Sequence, residues 1–155
     1  MKFVFPFLGK TTSAYLDSGI KDYARRLERL VPVDIIVLRE KVSKSLPDET
    51  FKQKEANQLL GHCPDSSFLV ALDGGGRMMD SESFAQALTD WQDRGVKNVY
   101  FVIGGHLGLH EEVLARADLV LSLSPMTFTH ELTRLILLEQ VYRACMIKSG
   151  RKYHN

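Results

Sequence analysis

Short apolar runs of strand length alternate along the chain with longer segments of helical period, which predicts a parallel sheet covered by helices. Lys2 to Leu8 and Val33 to Arg39 read as strands, and between them Tyr15, Leu16, Ile20, Tyr23, Ala24, Leu27 and Leu30 recur at helical spacing. After the polar loop Glu40 to Pro47, the stretch Asp48 to Leu60 sets Phe51, Ala56, Leu59 and Leu60 among charged residues, the pattern of a more exposed helix. Ser67 to Leu72 and Val99 to Ile103 are continuous apolar runs, as expected of central strands buried on both faces. The helix between them starts near Asp80 or Ser81 and stops at Gly95. A further strand, Leu119 to Leu123, leads to Ser124-Pro125. Glu131 to Ile147 then reads as a helix apolar around most of its circumference, more than one small sheet can cover, so part of it is expected to pack against a second copy of the chain. The expected fold class is α/β, a mainly parallel sheet flanked by helices in one domain over residues 1–155, and 45% hydrophobic residues suffice for its core.

Charge narrows the function. Lys and Arg number 20 against 19 Asp and Glu, for a formal charge of +1, which excludes proteins that coat nucleic acid by bulk attraction. No apolar run approaches the roughly 18 to 20 residues of a membrane span, and the apolar start is too short for a signal peptide, so a cytoplasmic protein without membrane contact is expected. Cys63 and Cys145 are too few for a disulfide scaffold and lack the spacing of a zinc site; both are expected to be buried thiols, and no metal is expected. The charge is nevertheless uneven. From Arg134 to the end, Arg134, Arg143, Lys148, Arg151 and Lys152 face Glu139 alone. A positive end on a near-neutral protein suits local contact with RNA phosphates, and it equally suits a solvated tail.

Ligands of open α/β sheets gather at the carboxyl ends of parallel strands, which directs attention to Asp73-Gly74-Gly75-Gly76, to Gly104-Gly105-His106-Leu107-Gly108, and to Ser122 through Thr129. Glycines there let a ligand approach the backbone, or simply form tight turns. No phosphate loop is present, and only Gly9-Lys10 follows the first strand where a dinucleotide fold would carry its glycine-rich turn. Dinucleotide oxidoreductases and conventional nucleotide hydrolases are disfavoured accordingly.

Four ordered blocks carry a resemblance. Phe101-Val102-Ile103-Gly104-Gly105-His106-Leu107-Gly108-Leu109, Leu121-Ser122-Leu123-Ser124-Pro125-Met126-Thr127-Phe128-Thr129-His130, Leu138-Glu139-Gln140-Val141-Tyr142-Arg143-Ala144 and Tyr153-His154 closely resemble the RlmH family. These are bacterial SPOUT-class enzymes that methylate N3 of a pseudouridine in large-subunit (23S) ribosomal RNA. The resemblance spans the chain and implies a SPOUT-type trefoil knot in the C-terminal half, a homodimer, and S-adenosylmethionine as cofactor. Carried over by position, the cofactor pocket comprises Leu72, Gly104, Leu123, Ser124, Pro125, Met126, Thr127 and Phe128. The family commonly has proline where this chain has Thr129, exchanging a rigid helix start for a capping hydroxyl. The segment 73–76 is also richer in glycine than is usual there.

On the substrate side the resemblance implies Arg143, Tyr153, His154 and His130. A tyrosine and a histidine at the very end of a chain have no core to serve; Tyr153 would stack on a base and His154 would bind phosphate or position the base. The target nitrogen carries a proton, so a nearby base or cation would assist its loss. His130 reads equally as a capping or packing residue, and Arg143 equally as the partner of Glu139 one turn away. The implied substrate is ribosomal RNA in the assembled ribosome. Two other readings stay open on residues alone: a ribosome-associated binding module without activity, and a flavodoxin-like protein binding another nucleotide or flavin.

Overall fold

A computed structural model describes residues 1–39 and 42–150 of the chain. Five strands and five helices follow in the order β1 (Lys2–Leu8), α1 (Ala14–Glu28), β2 (Val33–Leu38), α2 (Asp48–Leu60), β3 (Phe68–Met78), α3 (Ser81–Asp93), β4 (Asn98–Ile103), α4 (Glu111–Arg116), β5 (Leu119–Ser122) and α5 (His130–Lys148). The strands form one sheet in the order β2-β1-β4-β3-β5, every neighbouring pair parallel.

Alternation along the strands sorts the core into two layers. Phe3, Phe5 and Phe7 of β1, Val70 and Leu72 of β3, and Val99, Phe101 and Ile103 of β4 face α1, α3 and α5, where Ile20, Leu27, Leu88, Leu137, Leu138 and Val141 meet them. Phe5 and Phe101 stack at 5.2 Å across this layer. On the opposite face Leu69, Ala71 and Val102 pack with Ala56 and Leu59 of α2 and Val113 of α4. The expected three-layer α/β arrangement is present.

Three differences from the sequence reading have physical causes. First, β3 does not end at Leu72. Leu121 pairs with Leu72 and again with Arg77, so the glycine-rich residues 73–76 form an excursion from which the strand rejoins β5. Gly76 permits the return: a Cβ there would lie 2.7 Å from the Val120 carbonyl oxygen. Second, α4 has only six residues and little periodicity to announce it; the His110 side chain caps it by accepting from the Glu112 amide. Third, α5 is covered within the chain more fully than its composition suggests, because α1 and α3 flank it on either side. Gly19 of α1 opens room for Leu135, whose Cδ1 would otherwise lie 2.9 Å from a Cβ. Residues 40 and 41 of the expected polar loop lie outside the described residues.

Candidate functional site

The carboxyl ends of β3, β4 and β5 open into a cavity of about 840 Å³, within the range of small-ligand sites. Leu72, Ile103, Leu121, Leu123 and Phe128 supply apolar walls; Asp73, Ser124 and the strand-end backbone supply polar groups. The first turns of α1 and α5 close the far side through Tyr15 and His130. Tyr15 and Met126 are 78% and 77% exposed, so two large apolar side chains stand open at this mouth.

Local bonding fixes each wall. After β4 the chain turns back on itself: Gly108 donates to the Gly105 carbonyl at 3.1 Å, with Gly108 at φ +79°. Gly104 lies so close to this return that a Cβ would come 2.4 Å from the Gly108 carbonyl carbon. His106, exposed at the tip, rests edge-on against the buried Phe51 of α2 at 5.1 Å. In the next segment the Met126 amide donates to Ser124 Oγ at 2.9 Å, and Ser122 Oγ donates to the Ser124 carbonyl at 3.1 Å. Thr129 then caps α5, accepting from the Leu132 amide at 3.3 Å, the hydroxyl cap expected where the family commonly has proline.

The start of α5 also clamps the loop between β1 and α1. Arg134, 2% exposed, donates to the carbonyls of Leu8 at 2.6 Å and Gly9 at 3.2 Å and to Thr11 Oγ1 at 3.0 Å, with its guanidinium 4.7 Å from the centre of the Phe7 ring. Burial lowers its pKa, and the Glu131 charge opposes that shift. Glu131 accepts from the Thr12 amide and hydroxyl. Desolvation pushes its carboxyl up, but hydrogen bonds from Thr12 and Ser13 and the charge of His130 outweigh it and hold the group below its usual range.

Most of the expected site residues converge. Leu72, Gly104, Leu123, Ser124, Met126, Thr127, Phe128 and His130 all line the cavity; Pro125 lies in the same loop but not on the wall. Arg143 lies elsewhere, about 20 Å along α5 from His130 at 1.5 Å per residue. It is paired with Glu139 at 2.6 Å, and Glu139 is held in turn by Gln140, which accepts from Ser81. Tyr153 and His154 are outside the described residues. Sequence reasoning passed over Asp73, His106, Glu131 and the α1 start; the first two stood in segments already singled out, whereas nothing local marks Tyr15 as a wall. Cys63 and Cys145 are free and buried, and burial pushes both thiols up to about 11. Among the described residues no cluster of His, Cys, Asp or Glu is arranged to hold a metal, and no helix is long and apolar enough to cross a membrane.

A parallel sheet whose glycine-lined strand ends open into a largely apolar cavity defines an α/β protein with room for a small organic ligand. A family model described as a predicted SPOUT methyltransferase matches residues 1–154. The chain is 42% identical over 154 residues, 99% of each chain, to the ribosomal RNA large subunit methyltransferase H of Desulfotalea psychrophila. It is 41% identical over 151 residues, 95% of each chain, to the protein of that name from Clostridium novyi. A probable methylase family protein from Haemophilus influenzae shares the fold at a TM-score of 0.53 and 12% identity, over 99% of this chain and 70% of that one. The chain belongs to the SPOUT methyltransferase family.

Proposed function

We propose that this protein transfers a methyl group from S-adenosylmethionine to N3 of a pseudouridine in large-subunit ribosomal RNA, acting in the cytoplasm on the assembled ribosome. The observation that carries the reading is the cavity at the ends of β3, β4 and β5, lined by seven of the eight positions expected to hold the cofactor, in a chain aligned end to end with large-subunit RNA methyltransferases. One domain over residues 1–155, with the knotted C-terminal half of its class, is part of the same reading.

The residues present fit that cofactor. Leu72, Ile103, Leu123 and Phe128 would enclose its apolar parts, and Asp73, Ser124 and strand-end backbone groups would meet its hydroxyls and charges. A Cβ at Gly74 would meet no atom within 4 Å, so backbone is open to a ligand on that side. When bound, the cofactor supplies an already activated sulfonium methyl, which leaves the protein to align the acceptor and exclude water. In this reading His130, which lines the cavity at the first residue of α5, would take or share the N3 proton. Tyr153 and His154 complete the substrate side in this reading, the one by stacking and the other by contact with phosphate or base.

Arg143 takes part through a homodimer. Leu137, Leu138, Val141 and Ala144 face the core, whereas Leu132, Ile136, Glu139, Arg143 and Met146 recur at alternating intervals of four and three along the other side of α5. That spacing supports a helix seam between two copies, which would carry Arg143 of one subunit toward the partner's substrate. The deciding experiment supplies labelled S-adenosylmethionine with ribosomes lacking the modification, isolated large subunits and naked RNA in parallel. Label confined to assembled ribosomes and mapped to a pseudouridine is the expected result; binding of cofactor without transfer to any sample would defeat the reading.

A further inference from the structure

The sheet contains a second crevice of the same topological kind. The chain leaves β4 toward the α2 and α4 face, whereas it leaves both neighbouring strands, β1 and β3, toward the α1, α3 and α5 face. Such reversals open clefts at the carboxyl edge of a sheet. The β3–β4 cleft is the cavity already described. Beside it, the ends of β1, β2 and β4 enclose about 890 Å³, and the two spaces share Gly105, His106, His130 and Glu131 as a common wall.

The geometry points to this second cleft as a site for the sugar-phosphate backbone of RNA, in which Lys10 and Arg39 hold a phosphate next to the nucleotide whose base enters the first cavity. The inference rests on the function proposed above and locates where its substrate is gripped. Lys10 and Arg39 are exposed on the rim, joined by Lys44. Among the described residues Lys10 and Arg39 form no ion pair, as is also true of the exposed Arg94 and Lys97; what sets the two apart is that both stand on this one cleft.

Both cations stand on fixed backbone. The Gly9 amide donates to the Leu38 carbonyl at 2.8 Å, so the end of β1 is tied to the end of β2 and Lys10 is brought beside Arg39. Gly9, at φ +73°, turns the chain there, and the Arg134 and Glu131 clamp holds the residues on either side of Lys10. Gln58 donates to the Arg39 carbonyl at 2.6 Å. Two carboxylates also line the cleft. Glu131 is engaged by Thr12, and Glu55 packs under Gly105, where a Cβ would lie 2.5 Å from its Oε1. Both carboxylates are thus engaged on the protein side, and the exposed Lys10 and Arg39 are the groups in this cleft that attract a backbone phosphate. For a protein of charge +1, such a local grip gives positioning without indiscriminate affinity.

The test compares Lys10→Gln, Arg39→Gln and the double variant with the wild-type protein. Lys97→Gln, an exposed cation preceding β4 at the opposite edge of the sheet, serves as control. Methyl transfer to ribosomes lacking the modification is followed from low to high salt, and S-adenosylmethionine binding is measured by calorimetry. Each cleft substitution is expected to raise KM for ribosomes about three- to tenfold and to make the dependence of log affinity on log salt shallower by about one. Cofactor affinity should stay at the wild-type value and Lys97→Gln should change nothing. Unchanged KM and salt slope would overturn the inference, as would a parallel loss of cofactor affinity, which would assign the cations to the cofactor's own carboxylate. Absence of transfer by the wild-type protein would instead defeat the function on which the inference rests, and the inference with it.

Discussion

Alanine at position 104 would place a methyl group 2.4 Å from the Gly108 carbonyl carbon and 2.7 Å from both the Gly108 oxygen and the Leu109 nitrogen. These are backbone atoms in a closed turn, so no side-chain rotation relieves the contact. Reaching ordinary contact requires the return segment to move by about 1 Å, and overpacking of that size costs about 1–3 kcal/mol. The displaced segment lines the cavity, so the cost falls on the ligand-competent arrangement. If the turn yields in the free protein and must be forced back to bind, affinity for S-adenosylmethionine drops about 5- to 150-fold. Gly74 lines the same cavity one strand away, yet its Cβ direction is open, so Gly74→Ala lacks this backbone conflict and any loss it shows measures contact with the ligand alone. Calorimetric titration of both variants, with urea unfolding as a check on the fold, separates the two effects. Wild-type affinity in Gly104→Ala would refute the reasoning, because the turn would then be compliant and the glycine dispensable.

The buried clamp gives a second expectation: Arg134→Lys keeps the charge but loses the fork that reaches Leu8, Gly9 and Thr11 together, and should cost about 2–4 kcal/mol in urea unfolding, whereas a loss below about 0.5 kcal/mol would make the clamp incidental. Glu131 predicts a pH dependence. Its folded-state pKa lies below the ordinary 4.5, so its contribution is complete above that value and is lost as pH falls through the lower folded value; the stability gap between wild type and Glu131→Gln should be constant near neutrality and close in acid. A gap independent of pH would contradict this. Finally, Ile136→Glu on the outward side of α5 should yield a monomer in sedimentation while leaving the core packing of Leu137 and Leu138 intact; a stable dimer would move the interface elsewhere.

What the sequence made legible follows from periodicity. Phe3, Phe5 and Phe7 alternate cleanly, α1 and α3 carry strong helical stripes, and apart from the end of β3 and the short α4 the strands and helices lie within about two residues of where those patterns put them. Local pattern fails where the determining contact is remote. Nothing around Asp73 announces that β3 resumes at Arg77, because the reason is pairing with Leu121 and Ser122. Arg134 sits in a helix whose neighbours are leucines, and only the fold brings it to carbonyls more than a hundred positions away. The segments around the cavity were legible because they follow strands, and the individual residues because the family resemblance supplied them, whereas the cleft that holds Lys10 and Arg39 depends on which strands lie side by side, and strand order is not written in any single segment.

The clamp between α5 and the β1–α1 loop also bears on when the protein can function during its own synthesis. Lys10 is made early, but the residues on either side of it are held by Glu131 and Arg134, which are made more than a hundred residues later. Thr133 of α5 likewise closes the first cavity. Loop closures of this span are slow and come late, so a nascent chain lacking α5 has neither a walled ligand cavity nor a fixed cationic rim. Binding competence would then switch on as a unit, when α5 docks between α1 and α3.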